Sequence, residues 1–358
     1  MRVLNLMWSS QPEFQSVHRV MASVMRCLQP KTVEHCFLIG EPEQQLLLNP
    51  ASSLKVSKRQ AKKWLLRWRL GQKLKQKITS ITPDIVFIDG LGVARLVLPL
   101  LVFFPNCRAL IYFHGQTRFK KNDLKLFASV KADQLRMIAV SSDLAYSLRE
   151  QVKGIEVLAI PTFLDLPVAK PRTPREEKVL RLGAIGRLVA DKNFALLVEA
   201  MSLLTCSEHK ITLQIAGEGE EANALREQVE TLQLGSSVCL LGQRENIESF
   251  YQQIDVLLVP SLQEGQGLVV QEALHYGAAV ICTDLPVFRE QLADSGYYLS
   301  ATSAQEWANA ILSMYPEQLK TMLNNQRYAY AQFCSMGNFR ARLETAVFAG
   351  NFGGKTCK

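Results

Sequence analysis

Residues 255–277, DVLLVPSLQEGQGLVVQEALHYG, decide how this chain folds. Asp255 to Val259 read as a buried strand closed by Pro260, and a helix starts at about Leu268. Glu264 then falls on a strand-to-helix loop, where Gly265 and Gly267 let backbone amides point outward beside the start of the helix. Free amides and the helix dipole at such a place favour an anion such as a pyrophosphate. Glu272 falls on the first turns of that helix, within reach of ribose hydroxyls. Two carboxylates, an amide nest and a dipole in one short segment are hard to explain as packing.

Working outward, the same alternation of apolar runs and amphipathic stretches fills the chain. Strands are expected at 2–7, 85–88, 109–113, 137–140, 180–185, 211–216, 256–259 and 279–282, with helical patterns such as 195–204 and 221–232 between them. This rhythm predicts an α/β protein with parallel sheets built from βαβ units. At 358 residues the chain exceeds what one hydrophobic core usually fills. Pro167, Pro171 and Pro174, interleaved with charge, break the rhythm before a fresh strand begins at Val179. The expected division is a domain at 1–166, a linker at 167–178, a second domain at 179–325, and a helical segment at 326–358 packing back on the first domain. Gly350, Gly353 and Gly354 are expected to mark a fraying tail.

Hydrophobic residues at 48% and charged residues at 21% describe an ordinary globular chain. The longest apolar run, 96–104, is interrupted by Pro99 and is far shorter than the roughly 20 residues that span a bilayer. Val3, Leu4, Leu6 and Met7 read as a first strand rather than a leader, so no signal peptide is expected. The eight cysteines are scattered singly, without Cys-x-x-Cys or a histidine cluster, which predicts reduced thiols and no metal.

The net charge of +8 suits nucleic acid, an anionic membrane or a phosphorylated substrate, and its distribution is uneven. Residues 55–77, opening on Lys55 and closing on Lys77, read KVSKRQAKKWLLRWRLGQKLKQK and contain no acid, with Trp64, Leu65, Trp68 and Leu70 woven through. A basic amphipathic helix bearing tryptophans suits an anionic membrane surface. It equally suits a solvated helix whose apolar stripe packs on the first sheet, and both readings can hold for one helix. No recognised motif accompanies the charge to favour nucleic acid.

Two further segments carry candidate chemistry. Gly186-Arg187 follows a strand and Lys192 comes five residues later, in GRLVADKNFALLVEA. Two cations at the carboxyl end of a parallel strand suit a diphosphate, although an Arg and a Lys beside a turn are commonly just solvated. Gly217-Glu218-Gly219 sits between a strand and a helix. Glycines there serve either a ligand's close approach or a tight turn.

Taken together, Glu264 and Glu272 with seven residues between them, the EGxGL core, GRLxxxKN and the Gly-Glu-Gly turn resemble retaining glycosyltransferase family 4. Leu240-Leu241-Gly242, IDVLLVPSLQEG and Ala139-Val140-Ser141-Ser142 extend the resemblance over most of the chain. It implies the GT-B fold, two Rossmann-like domains facing each other across a cleft. It implies a hexosyl-type transfer, with retention, from a nucleotide-diphosphate sugar to a glycan or glycolipid acceptor. Arg187 and Lys192 would neutralise the departing diphosphate in place of a metal, and no cofactor is expected. Glu272 would bind the ribose, and Glu264 with the amides of Gly265, Gln266, Gly267 and Leu268 would hold the sugar and phosphates. Gly186 and the glycines Gly217, Gly219 and Gly242 would line the base and phosphate side. His114, after the strand 109–113, resembles the family's histidine facing the transferred sugar.

The chain departs from that pattern in three places. Trp8-Ser9-Ser10-Gln11 replaces the usual glycine pair after the first strand, leaving Ser9, Ser10 and His18 as acceptor-side candidates. Gln266 replaces an aromatic residue, and Pro161-Thr162-Phe163 replaces a Pro-Asn-Gly turn. Rival readings are an epimerase or phosphorylase on the same scaffold and a catalytically silent subunit. The absence of an early Gly-x-Gly-x-x-Gly disfavours an NAD-dependent oxidoreductase. The basic segment and the family together suggest lipopolysaccharide or other surface-polysaccharide biosynthesis, at the cytoplasmic face of the inner membrane.

Overall fold

The computed structural model describes residues 1–10, 15–40, 51–56, 64–170, 179–204, 210–244 and 246–348. Its contacts divide the chain into two compact units, Met1–Asp165 with the stretch from Met336, and Leu166–Ser335.

The first unit holds seven strands: β1 (Arg2–Ser9), β2 (Thr32–Ile39), β3 (Ala51–Val56), β4 (Ile85–Asp89), β5 (Arg108–Phe113), β6 (Leu135–Ala139) and β7 (Glu156–Ala159). They form one sheet in the order β3-β2-β1-β4-β5-β6-β7, every neighbouring pair parallel. Ile85 to Ile88 and Ala109 to Phe113 are buried throughout, as strands covered on both faces must be. Helices α1 (Gln15–Leu28), α2 (Trp64–Ile81), α3 (Gly90–Val97), α4 (Lys121–Ala128) and α5 (Ser142–Gln151) alternate with the strands.

The second unit holds β8 (Val179–Ile185), β9 (Lys210–Ala216), β10 (Val238–Gly242), β11 (Val256–Val259), β12 (Ala279–Thr283) and β13 (Tyr297–Leu299), in the order β10-β9-β8-β11-β12-β13. This sheet is also parallel throughout. Its helices are α6 (Phe194–Ser202), α7 (Ala222–Thr231), α8 (Ile247–Gln253), α9 (Leu268–Tyr276), α10 (Pro286–Leu292), α11 (Ala304–Leu312) and α12 (Pro316–Phe333). Leu197, Val198, Trp307 and Ile311 belong to the buried core on one side of this sheet.

Each sheet reverses strand order once, between β1 and β4 and between β8 and β11. Loops at the carboxyl ends diverge at such a switch point and leave a crevice, where open α/β sheets bind ligands.

Three expectations are corrected. The segment expected at 326–358 is divided, since α12 stays with the second unit while α13 (Met336–Phe348) joins the first. In α13, Phe339, Leu343, Ala346 and Val347 are buried, and the buried Arg136 donates to the Ala346 carbonyl. The basic stretch is not one helix: Lys55 and Val56 end β3, and helix begins at Trp64. Residues 57–63, much of the expected linker at 171–178, and the glycine tail lie outside the described residues. Strands β2, β3, β7 and β13 were not expected. In β2, Glu34 and His35 interrupt the apolar run that marks a buried strand, but His35 lies opposite Asn5 of β1 and pairs with its side chain at 2.9 Å.

Among the described residues, no helix is long and apolar enough to cross a membrane. No group of three or more His, Cys, Asp or Glu among them could hold a metal ion.

Candidate functional site

The second sheet's switch point brings together two loops singled out from the sequence. After β8 the chain runs through Gly186, the exposed Arg187 and a single turn at Ala190–Lys192. Asn193 follows in the left-handed region, at φ 55°. Its amide Nδ2 donates to the carbonyl of Ala301 at 2.9 Å and to that of Pro260 at 3.3 Å. The Leu262 amide donates to the Asp191 carbonyl at 2.8 Å, and Gln263 Nε2 donates to Asp191 Oδ2 at 2.7 Å. These bonds join the loop after β8 to the loop after β11.

Lys192 forms an ion pair with Glu264 across that seam, both side chains being largely buried. Ser261 Oγ also donates to Glu264 Oε1, at 3.0 Å. Among the described residues both contacts fall on Oε1, so Oε2 is left for another donor. No carboxylate among them pairs with Arg187.

Gly267 caps α9 in the left-handed region at φ 73°, where a Cβ would meet the Phe288 ring at 2.6 Å. Glycine is therefore required there for both conformation and space. Among the described residues no backbone carbonyl takes up the amides of Gly265 or Gly267. Leu268 opens α9, whose first turn cannot match its own amides. Glu272 lies on the same helix, buried, and accepts a hydrogen bond from the Tyr251 hydroxyl at 2.8 Å.

Gly217, Gly219 and Gly242 are also brought together. The Gly217 amide donates to the Gly242 carbonyl at 2.9 Å, while the Leu188 amide donates to the Glu218 carbonyl, also at 2.9 Å. A Cβ on Gly217 would overlap the Gly186 carbonyl oxygen, and one on Gly219 would overlap that of Leu188. Close approach of two backbones accounts for both glycines without a ligand.

Gln266, expected to serve through its backbone amide, has its side chain engaged elsewhere. Its side chain is buried and bonded to the Tyr330 hydroxyl, and its carbonyl accepts from Gln291. It faces the interior rather than a ligand.

In the first unit, His114 follows β5 at the sheet's carboxyl edge and stacks on Tyr112, with ring centroids 5.2 Å apart. Its Nε2 lies 3.4 Å from Oδ1 of Asp89, at the end of β4, and Asp89 Oδ2 accepts from the Trp8 amide at 3.3 Å. The acceptor-side candidates are corrected. Ser9, Ser10 and His18 are all buried, and His18 Nε2 lies 2.8 Å from the Ser9 carbonyl. Burial holds the His18 ring below its ordinary pKa, with the Ser9 carbonyl opposing the shift. It is a satisfied interior histidine.

Sequence reasoning missed Asp89, Tyr251 and Asn193. Asp89-Gly90 after an apolar strand was a readable signal for the first, and Asn193 stood inside the quoted GRLxxxKN motif. Tyr251 gave no local signal, because its partner lies 21 residues away.

Two Rossmann-like parallel sheets, the second with the loops after β8 and β11 joined at its switch point, define the class, a GT-B glycosyltransferase fold. Residues 168–332, inside the second unit, match the family model described as glycosyl transferases group 1. The O-antigen biosynthesis glycosyltransferase WclY of Escherichia coli is 34% identical over 108 residues, a match covering 30% of this chain and 30% of that protein. Less than a third of that relative's length is therefore spanned. Among solved structures, Anabaena Alr3699/HepE in complex with UDP and glucose superposes with a TM-score of 0.80 at 16% identity, covering 97% of this chain and 99% of the other. The lipopolysaccharide outer core galactosyltransferase WaaB superposes with a TM-score of 0.73 at 14% identity, covering 98% and 99%. These two likenesses establish the fold.

Proposed function

We propose that this chain is a retaining glycosyltransferase that moves a sugar from a nucleotide-diphosphate sugar to a glycan or lipid-linked acceptor, in lipopolysaccharide or other surface-polysaccharide biosynthesis. The carrying observation is the joined pair of loops at the β8/β11 switch point, one bearing Arg187 and Lys192 and the other bearing Glu264, the unmatched amides and the start of the helix that carries Glu272. The names of the E. coli relative and the two structural neighbours support the substrate class.

In this reading the amides of Gly265, Gly267 and Leu268 receive the diphosphate, and Arg187 and Lys192 take up charge as it leaves. Cations aimed at a developing charge stabilise the transition state more than the ground state, and here they stand in for a metal. Glu264 Oε2 accepts from a sugar hydroxyl, and Glu272 accepts from the ribose. The bond from the anomeric carbon to the phosphate oxygen breaks while the acceptor oxygen bonds to that carbon from the same face. The acceptor's proton passes to the departing phosphate oxygen. His114 is assigned to the transferred sugar, supported by its place at the carboxyl edge of the first sheet and by the family resemblance. Work at the cytoplasmic face of the inner membrane is supported by the described cysteines, all free thiols, and by the acid-free basic helix α2.

Thermal melting with UDP, GDP, ADP and their sugar conjugates in EDTA tests the donor site, because a ligand of the folded state raises its stability. One nucleotide is expected to raise the transition, and Glu272→Ala to weaken its binding about ten- to a hundredfold. Stabilisation that needs added magnesium or manganese would refute metal independence. No stabilisation by any nucleotide would refute the donor site. The anomeric configuration of the product, read by NMR, decides retention.

A further inference from the structure

We propose that one face of the first unit is a docking surface for an anionic phospholipid bilayer, built jointly by α2 and the 3-10 turn Leu98–Phe103. This deepens the membrane part of the proposed function, on which it rests, and is independent of the donor chemistry.

Helix α2 separates its residues by face. Leu70, Leu74 and Ile78 are buried, so they fix the inward side. Lys73 donates to the Leu54 carbonyl at 3.2 Å and Lys77 pairs with Glu34, so these two cations are spent within the fold. Trp68 and Lys75 are two turns apart on the opposite flank, and Trp68 is 69% exposed. Arg69 is exposed on the outward side, and among the described residues no acid pairs with Arg69 or Lys75.

The turn Leu98–Phe103, LPLLVF, lies beside that flank. Leu98 and Leu101 anchor it in the core, while Val102 is 77% and Phe103 56% exposed. Lys75 Nζ sits 3.3 Å from the centre of the Phe103 ring, tying helix and turn into one patch. An anchored turn that drives two adjacent apolar side chains outward, between a tryptophan and cations with no acid partner, leaves apolar surface in water at a cost the fold does not offset. A bilayer surface removes that surface from water. Val102, Phe103 and Trp68 would enter the headgroup boundary while Arg69 and Lys75 meet lipid phosphates. The lack of any acid in α2 sets the sign of the surface it fits.

The full chain is tested by co-sedimentation with phosphatidylcholine vesicles, with and without phosphatidylglycerol. The wild type is expected to bind the mixed vesicles and to be released by salt. Val102→Ser with Phe103→Ser is expected to lower the vesicle partition coefficient about tenfold or more, with an unchanged melting temperature and unchanged nucleotide affinity. Arg69→Gln with Lys75→Gln is expected to remove the preference for phosphatidylglycerol. Undiminished binding by both double variants overturns the surface while leaving a membrane role intact. No binding by the wild type at low salt overturns both. If the serine variants instead dissociate a dimer in sedimentation velocity and vesicle binding is absent, a second copy covers the patch and the proposal fails.

Discussion

Tyr251 holds Glu272 through one hydrogen bond, from a ring stacked on Tyr276 with centroids 5.8 Å apart. A buried carboxylate needs such a donor, and the same bond fixes which way the carboxylate faces. Tyr251→Phe keeps the ring and its stacking but removes the donor, so it is expected to weaken nucleotide binding about five- to tenfold while the protein stays folded. Isothermal titration beside a melting curve separates the two effects, and unchanged affinity would mean that Glu272 does not serve the ribose. Glu264 and Glu272 were legible in the sequence because their glycines mark a loop and a helix start. Tyr251 was not, since no local pattern announces a partner that arrives only when α8 packs on α9. Gln266 shows the converse: it sits in the motif, yet packing turns its side chain inward to Tyr330.

Strand β2 sets its register on β1 with a buried polar pair, Asn5 and His35. Burial pushes the His35 imidazole from its ordinary 6.5 down to about 4, so the fold holds it neutral. The unfolded chain takes up that proton near 6.5. The stability at stake is therefore complete above about pH 6.5 and is lost as the pH falls toward 4, to an upper limit of roughly 3 kcal/mol. Melting temperatures from pH 7 to pH 5 should fall more steeply for the wild type than for His35→Gln, and parallel slopes would show that another group carries the loss. At this scale the sequence revealed the uniformly apolar runs, such as β11 and residues 85–88 of β4. It concealed β2, whose polar residues find partners only across the sheet. It also suggested one long basic helix where a strand and a later helix stand, because charge composition does not report φ and ψ.

The chain's last described helix, α13, belongs to the unit formed by its beginning. Leu343 is fully buried there, and Cys27 of α1 lies 3.2 Å, sulfur to sulfur, from Met336. Leu343→Ala is expected to cost about 2–5 kcal/mol, borne by the first unit although the residue lies beyond the second in sequence. Hydrogen exchange should show faster opening of β1 and β4 and unchanged protection of β8 and β11. Faster exchange in the second unit instead would mean that α13 supports that unit. By itself the sequence determined two parallel α/β units and the placing of Glu264 on a loop and Glu272 on the helix after it, because strand burial, glycine turns and helix starts are written in neighbouring residues. Tertiary structure alone decided that Lys192 pairs with Glu264, that Asp89 stands beside His114, that His18 is interior and that α13 returns to the first unit. Each of those depends on strand order and side-chain packing between segments far apart in the chain, which local spacing does not encode.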